Sequence, residues 1–292
     1  MADFNINHIT SKQGKQGIVL AGITTVSSTG AMRIPNGPTT HRGGRGRGVF
    51  AGGVDPNYNA TMDYIEIATT GNASDWGDLT VAAQPRDTGS TSSTRGVFPL
   101  GNSDTEINTI NYVTISSGGG AQDFGDMTAP LSYFGGASNN TRGFIFGGYD
   151  APSAAINTIQ YFTIATLGDA KDFGDMLAAK FSAGACSSST RGVYQCGGPA
   201  NNNVMQYITM ATTGDATDFG DATGAYAEVG GTSNNIRGVF GGPNVPGTSP
   251  YRFNTIDYIT IASTGNAADF GDLTVARTGA AAMGDAHGGI GE

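Results

Sequence analysis

RGVFAGG (residues 47–53), MDYIEIA (62–68), the turn TGNA (70–73) and DWGDLTV (75–81) follow one another and read as strand, strand, hairpin turn, strand. The first is an apolar run closed by glycines, the second is rich in β-formers, and Gly71 and Asn72 tolerate the positive φ of a tight turn. The same template returns five times, opened by Arg47, Arg95, Arg142, Arg191 and Arg237. Its second strand carries Tyr64, Tyr112, Tyr161, Tyr207 and Tyr258, and its outer strand Trp76, Phe124, Phe173, Phe219 and Phe270. Spacings of 46 to 51 residues hold throughout, so the register is set by the pattern itself. A fourth strand is expected between each outer element and the next Thr-Arg-Gly, as in LSYFGGAS (131–138). No segment sustains a 3.6-residue apolar period, so helices should be nearly absent.

A four-stranded unit cannot bury both of its faces alone, whereas a ring packs each sheet against two neighbours. The first repeat opens directly at its Arg-Gly-Val-Phe strand, and the last finishes with ARTGAAAMGD (276–285), a strand of the missing type. These observations predict an all-β, five-bladed β-propeller of four-stranded antiparallel blades. Strand 276–285 is expected to pair beside 47–53 in the first blade and close the ring.

The glycine pairs after the apolar strand (Gly52-Gly53, Gly147-Gly148, Gly197-Gly198, Gly241-Gly242) resemble the kelch family. So do the tyrosine of the next strand, the outer aromatic and the Ala276-Arg277 step; the likeness covers about 43–292. Repeat two departs from it with Pro99-Leu100, and four outer strands carry Phe where kelch repeats usually have Trp. The wording of the repeats also resembles virion structural proteins of tailed phages, especially those of marine cyanobacteria. That resemblance implies a non-catalytic virion protein, either a tail fibre or appendage or a capsid-decorating protein, displaying a propeller for host attachment. The alternative is a cellular kelch-like module that binds protein or carbohydrate.

Two domains are expected: an arm over 1–42, and the propeller over 43–292 with repeats starting near 47, 95, 142, 191 and 237. The formal net charge is −9, yet Lys12, Lys15, Arg33 and Arg42 stand against Asp3 alone in the arm. An acidic body disfavours a general nucleic-acid partner. Within the arm, GIVLAGITTV (17–26) is an uncharged apolar β segment that would be an aggregation hazard if bare. It is therefore expected to extend as a β arm, anchoring the chain to other virion proteins or to sister copies in a homo-oligomer. The N-terminus shows no signal-peptide pattern, and no apolar run approaches transmembrane length. The expected location is a virion, with synthesis in the host cytoplasm and no membrane insertion.

Catalysis finds little footing. His8, His41 and His287 all lie near the termini, and neither a nucleophile elbow nor a phosphate loop is present. The paired histidines of kelch copper oxidases are missing, so no cofactor and no resident metal are expected. Asp215, Asp218 and Asp221 could present carboxylates to Ca²⁺, but their counterparts at the turn include Asn72, Gly120 and Asn266. The recurring arginines, with Asp78, Asp126, Asp175, Asp221 and Asp272, are read instead as repeat-structural: Arg–Asp pairs or Asx turns fastening neighbouring blades. Cys186 and Cys196 are read as buried free thiols on neighbouring strands. Binding is expected on the variable loops, where Tyr58, Tyr149, Tyr251, Arg252 and Phe253 offer aromatic and guanidinium surface to a host glycan or protein.

Overall fold

A computed structural model of the chain describes residues 47–54, 56–67, 70–85, 89–92, 94–150, 154–195, 197–198, 202–245 and 247–278. All belong to the unit Pro38–Glu292. The proposed arm (1–42) lies outside the described residues, as do Cys196 and most of the proposed closing strand.

Twenty strands form five antiparallel sheets, one per repeat, and no helix occurs among the described residues. The first sheet holds β1 (Arg47–Val54), β2 (Tyr58–Glu66) and β3 (Ser74–Asp78). The second holds β4 (Ser90–Thr91), β5 (Arg95–Pro99), β6 (Thr109–Thr114) and β7 (Gln122–Asp126). In the third, β8 (Leu131–Ser132) and β9 (Gly135–Ser138) both pair with β10 (Arg142–Asp150), which is followed by β11 (Ala154–Thr163) and β12 (Lys171–Asp175). The strand expected over 131–138 is thus split at Tyr133, whose φ is 55°. The fourth sheet is β13 (Gly184–Ser187), β14 (Arg191–Gln195), β15 (Val204–Thr209) and β16 (Thr217–Asp221). The fifth is β17 (Gly230–Ser233), β18 (Arg237–Gly241), β19 (Thr255–Thr260) and β20 (Ala268–Asp272).

The Asp-aromatic-Gly-Asp run of each outer strand is a β-bulge. In the third sheet Ile159 faces Gly174 and Gln160 faces Asp172, so Phe173 is the extra, unpaired residue. The Asp172 carboxylate accepts from the Gly174 N–H, an Asx turn that holds the bulge, and Gly174 takes φ 144°. The bulge turns the aromatic ring into the core: Trp76, Phe124, Phe173 and Phe219 are all buried.

Successive sheets are joined by one set of bonds used four times. The Arg142 guanidinium lies 4.9 Å over the Tyr161 ring of its own sheet, and its Nη1 donates to the Met210 carbonyl of the next at 2.8 Å. Arg47, Arg95 and Arg191 do the same toward Ile115, Ile164 and Ile261. The turn of the following sheet then pairs with the outer strand: Gly214 N–H donates to Phe173 O and Ala216 N–H to Asp175 O. Gly119 and Ala121, Gly168 and Ala170, and Gly265 and Ala267 repeat this at the other joints. At the four joints the buried Asn, Gln or Asp before the tyrosine accepts a backbone N–H from the preceding sheet, as Gln160 does from Thr128 and Asp257 from Thr223.

Among the described residues the sheets do not close into the expected propeller. Each of the five sheets is an open sheet, and none closes into a ring or barrel. The first sheet has only three strands: nothing described pairs with the free edge of β1, and 276–278, the described part of the proposed closing strand, form no strand. At the far end Arg237 is exposed and Phe270 is 51% exposed, where its four counterparts are buried. The physical reason is that a missing strand type at one terminus and a matching segment at the other make pairing conceivable without aligning the sheets. The five repeats share four joints, and the joint that would make a ring is absent among the described residues.

Candidate binding surface

The expected loop residues fall at equivalent hairpin tips but in different sheets. Tyr58 opens β2 opposite Val54 in the first sheet, and Tyr149 is the last residue but one of β10 in the third. The Tyr149 ring meets Phe181 edge-on with centroids 5.3 Å apart, and Tyr133 packs on the same ring. In the fifth sheet the Arg252 guanidinium lies 4.8 Å over the Tyr251 ring, Arg252 bridges Asn244, and Phe253 N–H donates to Pro243 O. The geometry therefore brings Tyr251, Arg252 and Phe253 together on one loop. No described contact joins them to Tyr58 or Tyr149. Tyr251, 47% exposed, offers a ring face backed by a cation, a surface suited to stacking on a sugar or aromatic group.

The repeat arginines and aspartates do not pair with each other. Among the described residues the single ion pair is Arg47 with Glu66, at 2.9 Å. Asp126, Asp175 and Asp221 instead offer their backbone N–H groups to Asp169, Asp215 and Asn266 of the following turn, each at 3.0 Å. Asp215 and Asp218 are both occupied in this way, the second by Gly220 N–H. Among the described residues no three His, Cys, Asp or Glu side chains converge as a metal-ligand set. Asp78 accepts from Ala121 through its carbonyl, and Asp272 closes β20 at the open end of the array.

One feature escaped the sequence reading. A cleft of about 360 Å³ opens at the joint of the third and fourth sheets, lined by Leu177, Lys180, Asn202, Gln206, Asp218 and Asp221 among others. Lys180 is only 4% exposed and donates from Nζ to Gly197 O at 3.2 Å. Asn202, which also lines the cleft, has an Oδ1 that is buried without a hydrogen-bond partner. The available signal was Lys180 itself: the matching positions in repeats one, two and four are Ala83, Leu131 and Tyr226, and only repeat five, with Arg277, also has a cation there.

No protein-family model matches the chain, and comparison with curated proteins finds no match. The kelch and phage-virion resemblances therefore stand on the quoted residues alone, and no feature of the five sheets is specific to a virion. Among the described residues no helix is long and apolar enough to cross a membrane.

Proposed function

We propose that this chain is a non-catalytic structural and binding protein of a tailed-phage virion, an appendage or capsid-decorating component attached through residues 1–42. On this reading it presents variable hairpin loops to a host-surface glycan or protein. The observation that carries the binding half is the division of labour among polar residues. Those repeated from sheet to sheet are consumed in the bulges and at the four internal joints, as with Arg142, Asp172 and Gln160. Those found once (Tyr251, Arg252, Lys180, Asn202) lie on the loops and the cleft. A scaffold held by repeated bonds and a surface made of unrepeated residues suits display rather than turnover. The cleft's amide, ammonium and carboxylate groups suit a hydroxyl-rich ligand. The virion half rests on the sequence resemblance. The alternative, a cellular module binding protein or carbohydrate, shares this surface and differs only in location.

Two measurements separate the halves. Immunogold labelling of purified particles should decorate one structure, and bare particles with protein confined to infected cells would defeat the virion reading. A glycan array probed with the full chain should give hits that Tyr251→Ala or Asn202→Ala removes while the melting temperature holds. An array and a panel of host cells both left blank would defeat the binding reading.

A further inference from the structure

The two ends of the five-sheet array carry the two unmatched halves of the joint that the chain uses four times internally. At the fifth sheet the giving half is complete and idle. Arg237 lies 4.6 Å over Tyr258 as its counterparts do over their tyrosines, but it is exposed and no carbonyl of a following sheet accepts from it. Phe270 is 51% exposed, and β20 is an edge strand. A Cβ placed on Gly271 would meet nothing within 4 Å. At Gly125, Gly174 and Gly220 the same test meets the next sheet's turn glycine at 2.5 to 2.6 Å.

At the first sheet the residues of the receiving half are all present, although Gly71 does not take the positive φ of Gly119, Gly168, Gly214 and Gly265, so its turn must change form on docking. Ile67 is 67% exposed, whereas of the four residues whose carbonyls accept the arginines Ile164, Met210 and Ile261 are fully buried and Ile115 is half-buried. Gly71, Asn72 and Ala73 are exposed, and they hold the turn positions that elsewhere pair with the preceding outer strand. Asp63 stands where Asn111, Gln160, Gln206 and Asp257 accept a backbone N–H from the preceding sheet.

We infer that the fifth sheet of one copy docks on the first sheet of a second copy, head to tail, through a fifth instance of the internal joint. The bonds follow by register. Arg237 donates to the Ile67 carbonyl, and Gly71 and Ala73 N–H donate to the Phe270 and Asp272 carbonyls. Asp272 N–H donates to Asn72 Oδ1, and Thr274 N–H to the Asp63 carboxylate. The occupant is a second copy because the first sheet of this chain carries the Ile67 carbonyl, the 70–73 turn and Asp63 at the spacings the four internal joints use. Such an interface is heterologous, so each copy keeps one free half and can add another.

The test is sedimentation of the full chain between about 1 and 100 µM, the range in which a modest interface shows itself. Average mass should rise with concentration. Arg237→Glu blocks the giving face and Gly71→Trp the receiving face, each at an exposed position, with circular dichroism confirming the fold. Each variant alone should stay monomeric. Mixed one to one, they should form a dimer and nothing larger, since each supplies the face the other lacks. A monomeric wild-type chain throughout, or no dimer in the mixture, overturns the inference. A further pair guards against closure within one chain: Asn72→Cys and Asp272→Cys on separate chains should cross-link on oxidation. A bridge forming only when both changes sit in one chain overturns it as well.

Discussion

The guanidinium of Arg191 lies 4.5 Å over the ring of Tyr207, which turns a tyrosine on one strand into the platform for a bond to the next sheet. From that platform Nη1 reaches the Ile261 carbonyl at 3.0 Å. Stacking fixes the plane of the guanidinium, so the hydrogen bond forms with little further loss of side-chain freedom.

Removing this device inside the array should be costly. Arg142→Ala loses a cation–π contact and charge-assisted bonds to two carbonyls, Met210 and Ala211. A destabilisation of about 2–4 kcal/mol is expected in chemical denaturation. Arg142→Lys should recover only part, because an ammonium cannot both stack in plane and reach across the joint. Arg237→Ala at dilute concentration should cost about 0.5–1 kcal/mol, since it loses stacking alone. Equal losses at positions 142 and 237 would show that the carbonyl bond contributes nothing.

Backbone approach gives a second contrast. A Cβ on Gly174 would lie 2.5 Å from the backbone of Gly214, at φ 144°. Gly174→Ala must therefore separate the third and fourth sheets or break the bulge. Gly271→Ala meets the same kind of φ but open space. The first substitution should lower the melting temperature much more than the second, whose cost is strain of about 1–3 kcal/mol. Indistinguishable melting curves would remove close approach as the reason for glycine here.

Cys186 is 4% exposed in a cluster with Val193, Phe240 and Ile259, and burial pushes its thiol well above the usual range. The thiolate is the reactive form, so in a Cys196→Ser background native protein should resist a maleimide or disulfide reagent at pH 8. It should react fully once unfolded in guanidinium. Rapid native labelling would mean that the joint between the fourth and fifth sheets opens readily.

Much of this fold was legible because the repeat writes its own register: Arg, Tyr and the outer aromatic recur at fixed offsets, and each lands in one structural role. The acceptor of each arginine was not legible, because a backbone carbonyl such as Met210 O leaves no mark on residue type. The bulge was only half visible, since Asp-Phe-Gly-Asp shows which residues recur but not that Asp172 turns back to bond Gly174. Ring closure was misread because 276–285 resembles the strand type missing from repeat one, and resemblance carries no geometry. The cleft was not legible because the repeat pattern marks what all five sheets share, whereas Lys180 stands where repeats one, two and four have Ala83, Leu131 and Tyr226 and only repeat five, with Arg277, keeps a cation.

Asp257 provides the sharpest pH test. It is 1% exposed in the last internal joint, and burial raises its carboxyl above the ordinary value of 3.8 against the lowering effect of its bonds to Thr223. A raised folded-state pKa means that the native chain holds this proton more tightly than the unfolded chain does. Its contribution to stability is full below pH 3.8 and fades as pH rises through the folded-state value. Once ionised above that value, the group burdens the joint. Asn111 occupies the same place in the first joint and accepts from both Thr80 N–H and its hydroxyl, with Nδ2 directed at that hydroxyl. Asp257→Asn should therefore keep the bonds and discard the charge. Its melting temperature should exceed wild type near pH 7, and the gap should shrink and vanish on acidification toward pH 3.8. A gap that is constant with pH would mean that the change acts through packing, and a gap of opposite sign would mean that the ionised carboxylate holds the joint together.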